Sequence, residues 1–128
     1  MNNFKVATTA IMGLFASFPV TAVPSDFVGQ PLPYVRITPL FNSSDTNRLS
    51  LSGLLMVDVF VLRGNGPIGT MEIADSLETL MSNKQLTVAD GSVVQFGAGS
   101  LGPSKIDKDN ETISRSVYSI PFNFFRRY

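Results

Sequence analysis

The spacing of apolar and polar residues changes period several times along the chain, and each change marks an element. Phe4, Ala7, Ile11, Leu14, Phe15 and Phe18 recur at intervals of three and four, which is one face of an amphipathic helix. Lys5, Thr9, Gly13 and Ser17 fall on the other side. Asn2 or Asn3 can cap its start, and Pro19 ends it. The same residues also have the order of a secretory signal peptide. Lys5 would be its basic region, Val6–Phe18 its apolar run and Val20-Thr21-Ala22 its cleavage site, leaving a chain that begins at Val23. The run is too short to span a membrane as a helix, so no membrane anchor is expected.

Beyond Pro24 the period shortens to two. Ser25–Pro33 is rich in turn formers and reads as a loop. Tyr34–Phe41 alternates as a strand, with Tyr34, Arg36 and Thr38 on one face and Val35, Ile37 and Pro39 on the other. Pro39 places the strand's end or a sheet edge there. Asn42–Asn47 is a polar loop. Leu49–Arg63 is the longest strand, with Leu49, Leu51, Leu55, Val57, Val59 and Val61 on one face. Its second half is apolar on both faces, as in a central strand covered on both sides.

Gly64-Asn65-Gly66-Pro67 then turns the chain into a helix reaching about Asn83, with Asn65 or Gly66 as cap and Pro67 as first helical residue. Met71, Ala74, Leu77 and Met81, widened by Ile73 and Leu80, form its apolar stripe. Glu72, Asp75 and Glu78 line its outer side. Leu86–Ala89 and Val93–Phe96 are short strands joined by an Asp90-Gly91 turn. Gly97–Lys108 is small and polar and reads as a flexible connection. Glu111–Tyr128 is a final long strand with Tyr118, Ile120, Phe122 and Phe124 on one face. Pro121 implies an edge position or a bulge in it.

This order predicts an α+β fold, a mostly antiparallel sheet packed against an N-terminal helix and one central helix. The 128 residues fit a single domain over 1–128. The balance of 44% hydrophobic against 16% charged residues argues against disorder. Net charge is zero, so no bulk attraction to nucleic acid is implied. The chain has no Cys and no His, which removes thiolate zinc sites, cysteine nucleophiles and histidine triads. Asp58 stands among apolar neighbours with no second catalytic group in view, and reads as a satisfied carboxylate. Glu72, Asp75 and Glu78 read as a solvated helix face, since their spacing does not converge on a metal. Gly97–Lys108 lacks a phosphate-binding glycine pattern. No enzyme activity, cofactor or metal is expected.

Four segments carry a resemblance. They are the N-terminal helix with its proline-containing loop, Pro33-Tyr34-Val35-Arg36-Ile37, the unit Leu51–Gly69 with Val57-Asp58-Val59-Phe60 entering a glycine-rich turn, and Ser119-Ile120-Pro121-Phe122. In order and spacing the chain resembles the tail terminator proteins of long-tailed bacteriophages, the group that includes the lambda tail terminator. It departs from them at Ser43-Ser44-Asp45-Thr46-Asn47-Arg48, where relatives often carry Gly-Gly and more basic residues. The resemblance implies a homo-oligomer, a hexameric ring that caps the tail tube, ends its polymerisation and meets the head connector. Its partners would be the major tail tube protein and a head completion protein. DNA would pass through without sequence-specific binding. The protein would lie in the virion, at the neck of the tail, after assembly in the host cytoplasm, which excludes export. Other readings are a different neck or tail-completion protein of similar fold, or a small exported binding domain with residues 1–22 as signal peptide. Ring contacts are expected from strand edges in Ser43–Ser52 and in the final strand. The charges nearest these surfaces are Arg36, Asp45, Arg48, Asp58, Arg63, Arg126 and Arg127.

Overall fold

The computed structural model describes residues 3–24, 33–41, 50–62, 64, 66–88, 91–103, 105–106 and 112–125. The N-terminal segment forms helix α1 (Asn3–Leu14), extended by a 3-10 turn over Phe15–Ser17. Strands β1 (Thr21–Pro24), β2 (Tyr34–Phe41) and β3 (Ser50–Leu62) follow, then helix α2 (Gly66–Met81). The remainder is β4 (Gln85–Thr87), β5 (Val93–Phe96), β6 (Ser100–Leu101), β7 (Lys105–Ile106) and β8 (Ile113–Phe125). The eight strands form one sheet in the order β1-β2-β3-β8-β5-β4, with β6 and β7 also on β8. The β1–β2 pair is parallel, and the other described pairs are antiparallel. The fold is α+β, as the periodicity predicts.

Strand alternation separates the two faces of the sheet. Val35, Ile37, Val57, Val59, Tyr118, Ile120 and Phe122 point to one face and are buried together with residues of both helices. From α1 and its 3-10 extension, Ala7, Ile11 and Phe15 enter this core. Phe4 does not: it is 54% exposed and meets Phe41 edge-on, with centroids 4.9 Å apart. Leu14 and Phe18 are only partly buried. In α2 the buried stripe is Thr70, Ile73, Ala74, Leu77 and Met81. Met71, expected in that stripe, is 54% exposed, because the helix turns the smaller Thr70 inward at that level. Asn83 ends α2 in the left-handed region at φ 56°, and its N–H donates to Gly97 O at 2.9 Å. An asparagine just past a helix end suits that conformation.

Four other expectations change. Residues 21–24, of which Thr21 and Ala22 also fit a cleavage site, are β1, paired with residues 34–37 of β2. Gly97–Lys108 is not a free connection, since β6 and β7 pair with β8. Its Gly102 N–H donates to Val117 O at 2.8 Å. The final strand is not an edge: β8 lies between β3 and the β5, β6 and β7 series. It therefore offers no continuous edge for strand addition. Pro121 is tolerated there for a local reason. Its carbonyl accepts from Gly97 N–H at 2.9 Å. In a strand the N–H and C=O of a residue point to the same side, so the missing N–H falls in the gap between β5 and β6. Pro39, by contrast, does lie where β2 extends beyond β1. Of the turn expected between β4 and β5, Gly91 stands at φ 88° with its N–H donating to Val88 O at 2.9 Å, while Asp90 lies outside the described residues. The loop Asn42–Asn47, most of Ser25–Pro33, and Asp45, Arg48, Arg63, Arg126 and Arg127 lie outside the described residues.

Candidate functional site

The face of the sheet away from the helices carries most of the chemistry. Cross-strand register puts Tyr34, Phe60 and Arg115 in one row and Arg36, Asp58 and Val117 in the next. Of the seven charged residues singled out in the sequence, Arg36 and Asp58 are the two described, and β2 and β3 bring them together. Arg115 Nε and Nη2 both donate to Asp58 Oδ1, at 3.2 and 2.7 Å. Arg36 Nε stands 3.9 Å from Asp58 Oδ2. Asp58 is therefore a satisfied carboxylate, but its main partner is a residue that sequence reading missed. Arg115 is a lone arginine in an alternating strand, 57 positions away. Only the β3–β8 register connects the two.

An apolar patch supports this ion group. Val23, Tyr34 and Phe60 are buried together, with Ile113 against them. Tyr34 stacks on Phe60 at 4.7 Å and 19°. The guanidinium carbons of Arg36 and Arg115 lie 4.9 and 5.7 Å from the Phe60 ring centroid, within cation–π range. Further out on this face Leu40 and Leu62 are 46% and 54% exposed. The expected cover on both sides of β3 thus holds on the helix side, while the far face keeps leucines in solvent.

The electrostatics are unbalanced. Two guanidiniums share one carboxylate, and Arg36 Nε is buried without donating a hydrogen bond. Asp58→Asn is expected to lower stability by about 1–3 kcal/mol, between the values for exposed and buried ion pairs. Urea unfolding checks this. A loss below about 0.5 kcal/mol would mean that solvent already compensates both arginines.

A second polar contact ties α2 to the sheet. The Tyr118 hydroxyl donates to Glu78 Oε1 at 2.5 Å. Burial foremost, then this hydrogen bond and the carboxylate's charge, push the Tyr118 phenol above its ordinary value. A raised folded-state pKa means that the folded chain keeps a proton the unfolded chain releases. The contribution is whole below about pH 10 and is lost as pH rises beyond it. Tyr118→Phe is expected to cost about 1 kcal/mol at neutral pH and to flatten the decline in stability above pH 10. Urea midpoints across pH 8–11 read both effects; an unchanged alkaline slope would contradict the second.

Among the described residues, no group of three or more acidic side chains gathers where a metal could sit. Among them also, no helix is long and apolar enough to cross a membrane.

No family model and no curated protein matches the sequence. Solved structures share the fold, among them two matched over nearly the whole chain. One carries no functional description; it aligns with a TM-score of 0.70 and 14% identity, over 100% of this chain and 99% of that one. The other is a chain of the virion of a native gene transfer agent particle, with a TM-score of 0.69 and 13% identity. That alignment spans 97% of this chain and 98% of the virion chain, so the whole architecture is shared from end to end.

Proposed function

We propose that this chain is a structural virion protein of the tail terminator type, without catalytic activity. In this reading it forms a hexameric ring on the finished tail tube, stops tube polymerisation and presents a surface to the head connector. It occupies the neck of the tail and is assembled in the host cytoplasm. The observation that carries the reading is the end-to-end fold match to a virion chain. The four resembling segments support the tail terminator role within that class. Two of them, the Tyr34–Ile37 stretch and the Val57–Phe60 stretch, are register partners in β2 and β3. Zero net charge suits a ring through which DNA must pass without sticking.

A closed ring needs two different complementary patches on each subunit. The helix-covered side and the open face of this sheet are two such surfaces. The deciding experiment is disruption of the gene, followed by electron microscopy of the particles. Over-long tails are the expected result. Tails of normal length that fail to join heads would instead assign the chain to another neck protein of the same fold.

A further inference from the structure

Two surfaces of this molecule are complementary in charge and face opposite ways. The first is the outward side of α2. Ile68 and Met71 are 70% and 54% exposed. Glu72 and Asp75 stand beside them, so positions 68, 71, 72 and 75 repeat at helical spacing as a second stripe. The helix holds three acids and no base. The second surface is the open face of the sheet. Leu40 and Leu54 are cross-strand neighbours, and with Leu62 they are 46%, 37% and 54% exposed. Arg36 and Arg115 lie between them against the single charge of Asp58. Lys105 is the register partner of Arg115 and adds a further positive charge. One surface is apolar and acidic, the other apolar and basic. Ile68 with Met71, and Leu40 with Leu54, are adjacent exposed apolar pairs of the kind that contact surfaces use.

We infer that the outward stripe of α2 docks on the open sheet face of a second copy of this chain. The inference rests on the ring reading above and names the subunit contact. Charge selects the geometry. A stripe meeting another stripe sets acid against acid, and an open face meeting another sets base against base. Unlike surfaces attract, and like charges brought together at an interface are penalised. α2 buries Thr70, Ile73 and Leu77 against the far side of the sheet, so the two surfaces point away from each other. The contact is therefore head-to-tail, the type that generates rings. The excess positive charge around Arg36 and Arg115 receives the carboxylates of Glu72 and Asp75 from the neighbour.

The chain has no cysteine, which gives a clean background for cross-linking. Met71→Cys is placed in one batch of full-length chain, and Leu54→Cys or Leu62→Cys in another. Under mild oxidation the mixture is expected to yield a disulfide-linked mixed dimer, well above the self-linked product of any single variant. A chain carrying Met71→Cys and Leu62→Cys together should give a ladder of linked oligomers. Glu72→Lys with Asp75→Lys in the Met71→Cys chain should remove the mixed product. Self-linked dimers of Met71→Cys as the main product would overturn the inference. So would a mixed yield no higher than that with Thr9→Cys, an exposed position on α1. The ring reading is scored separately. Tubes capped by a chain whose cysteines do not link would refute this contact alone. A linked ladder from a chain that leaves tubes uncapped would refute the ring reading alone.

Discussion

A chain beginning at Val23 is expected to lose its cooperative fold. Residues 4–18 are not an appendage, because Ala7, Ile11 and Phe15 are at most 5% exposed within the main core. Burial of an Ile or Phe side chain is worth about 1.5–3 kcal/mol. Val6, Ala10, Met12, Leu14 and Phe18 add partly buried surface against the same core. Their joint loss is on the order of 5–10 kcal/mol, as large as the whole stability of a typical domain. The cut also halves β1, whose residues 21–24 pair with residues 34–37. It would expose Val35, Ile37 and Val94, which are at most 1% exposed in the intact chain. Purified chain 23–128 should therefore show no sharp thermal transition by circular dichroism and poor amide dispersion. A transition within a few degrees of the full-length protein would sink this expectation. It would also revive the reading of residues 1–22 as a signal peptide.

What the sequence disclosed depended on how local the determining interactions are. Tyr34–Phe41 and the Tyr118–Phe124 face could be read directly, since their alternation spans many residues. Residues 21–24 could not, because four residues take strand form only through pairing with β2. The two-residue strands β6 and β7 likewise owe their form to the unpaired side of β8. At position 71 identity misleads: methionine reads as core, yet Thr70 faces the sheet at that turn. The site divides the same way. Asp58 stood out as a carboxylate inside an apolar strand. Arg115 gained meaning only when the β3–β8 register brought it to Asp58, and Lys105 only when the β7–β8 register set it beside Arg115. The Tyr118–Glu78 bond was hidden because one residue read as core and the other as solvated surface. A tyrosine long enough to reach the helix edge satisfies both descriptions.

The substitution expected to cost most per atom added is Gly53→Ala. Gly53 lies in β3 between Phe41 of β2 and Phe122 of β8. The two rings meet edge-on above it, with centroids 5.6 Å apart at 89°. They can meet because no side chain rises between them. A Cβ there would stand 2.3 Å from Leu40 O and 2.7 Å from Phe122 Cζ. The first contact is backbone and the second a ring only 2% exposed, so neither yields cheaply. Two effects favour alanine. It reduces the freedom of the unfolded chain, worth about 0.4–1 kcal/mol, and it suits a strand slightly better. Overpacking costs about 1–3 kcal/mol and more where backbone must move. The clash is therefore expected to win, with a net loss of about 2–4 kcal/mol in urea unfolding and an unchanged denaturant slope. Gly13→Ala serves as the opposite case. It lies on exposed helix with nothing within 4 Å of the new Cβ, and should gain roughly 0.5–1 kcal/mol. Adding Phe122→Leu to Gly53→Ala should recover part of the loss by removing the ring atoms that the new Cβ meets. If Gly53→Ala proved as stable as the parent chain, the two rings would not close over β3 in solution. The packing of Phe4 on Phe41, which extends that aromatic row to α1, would then lose its anchor.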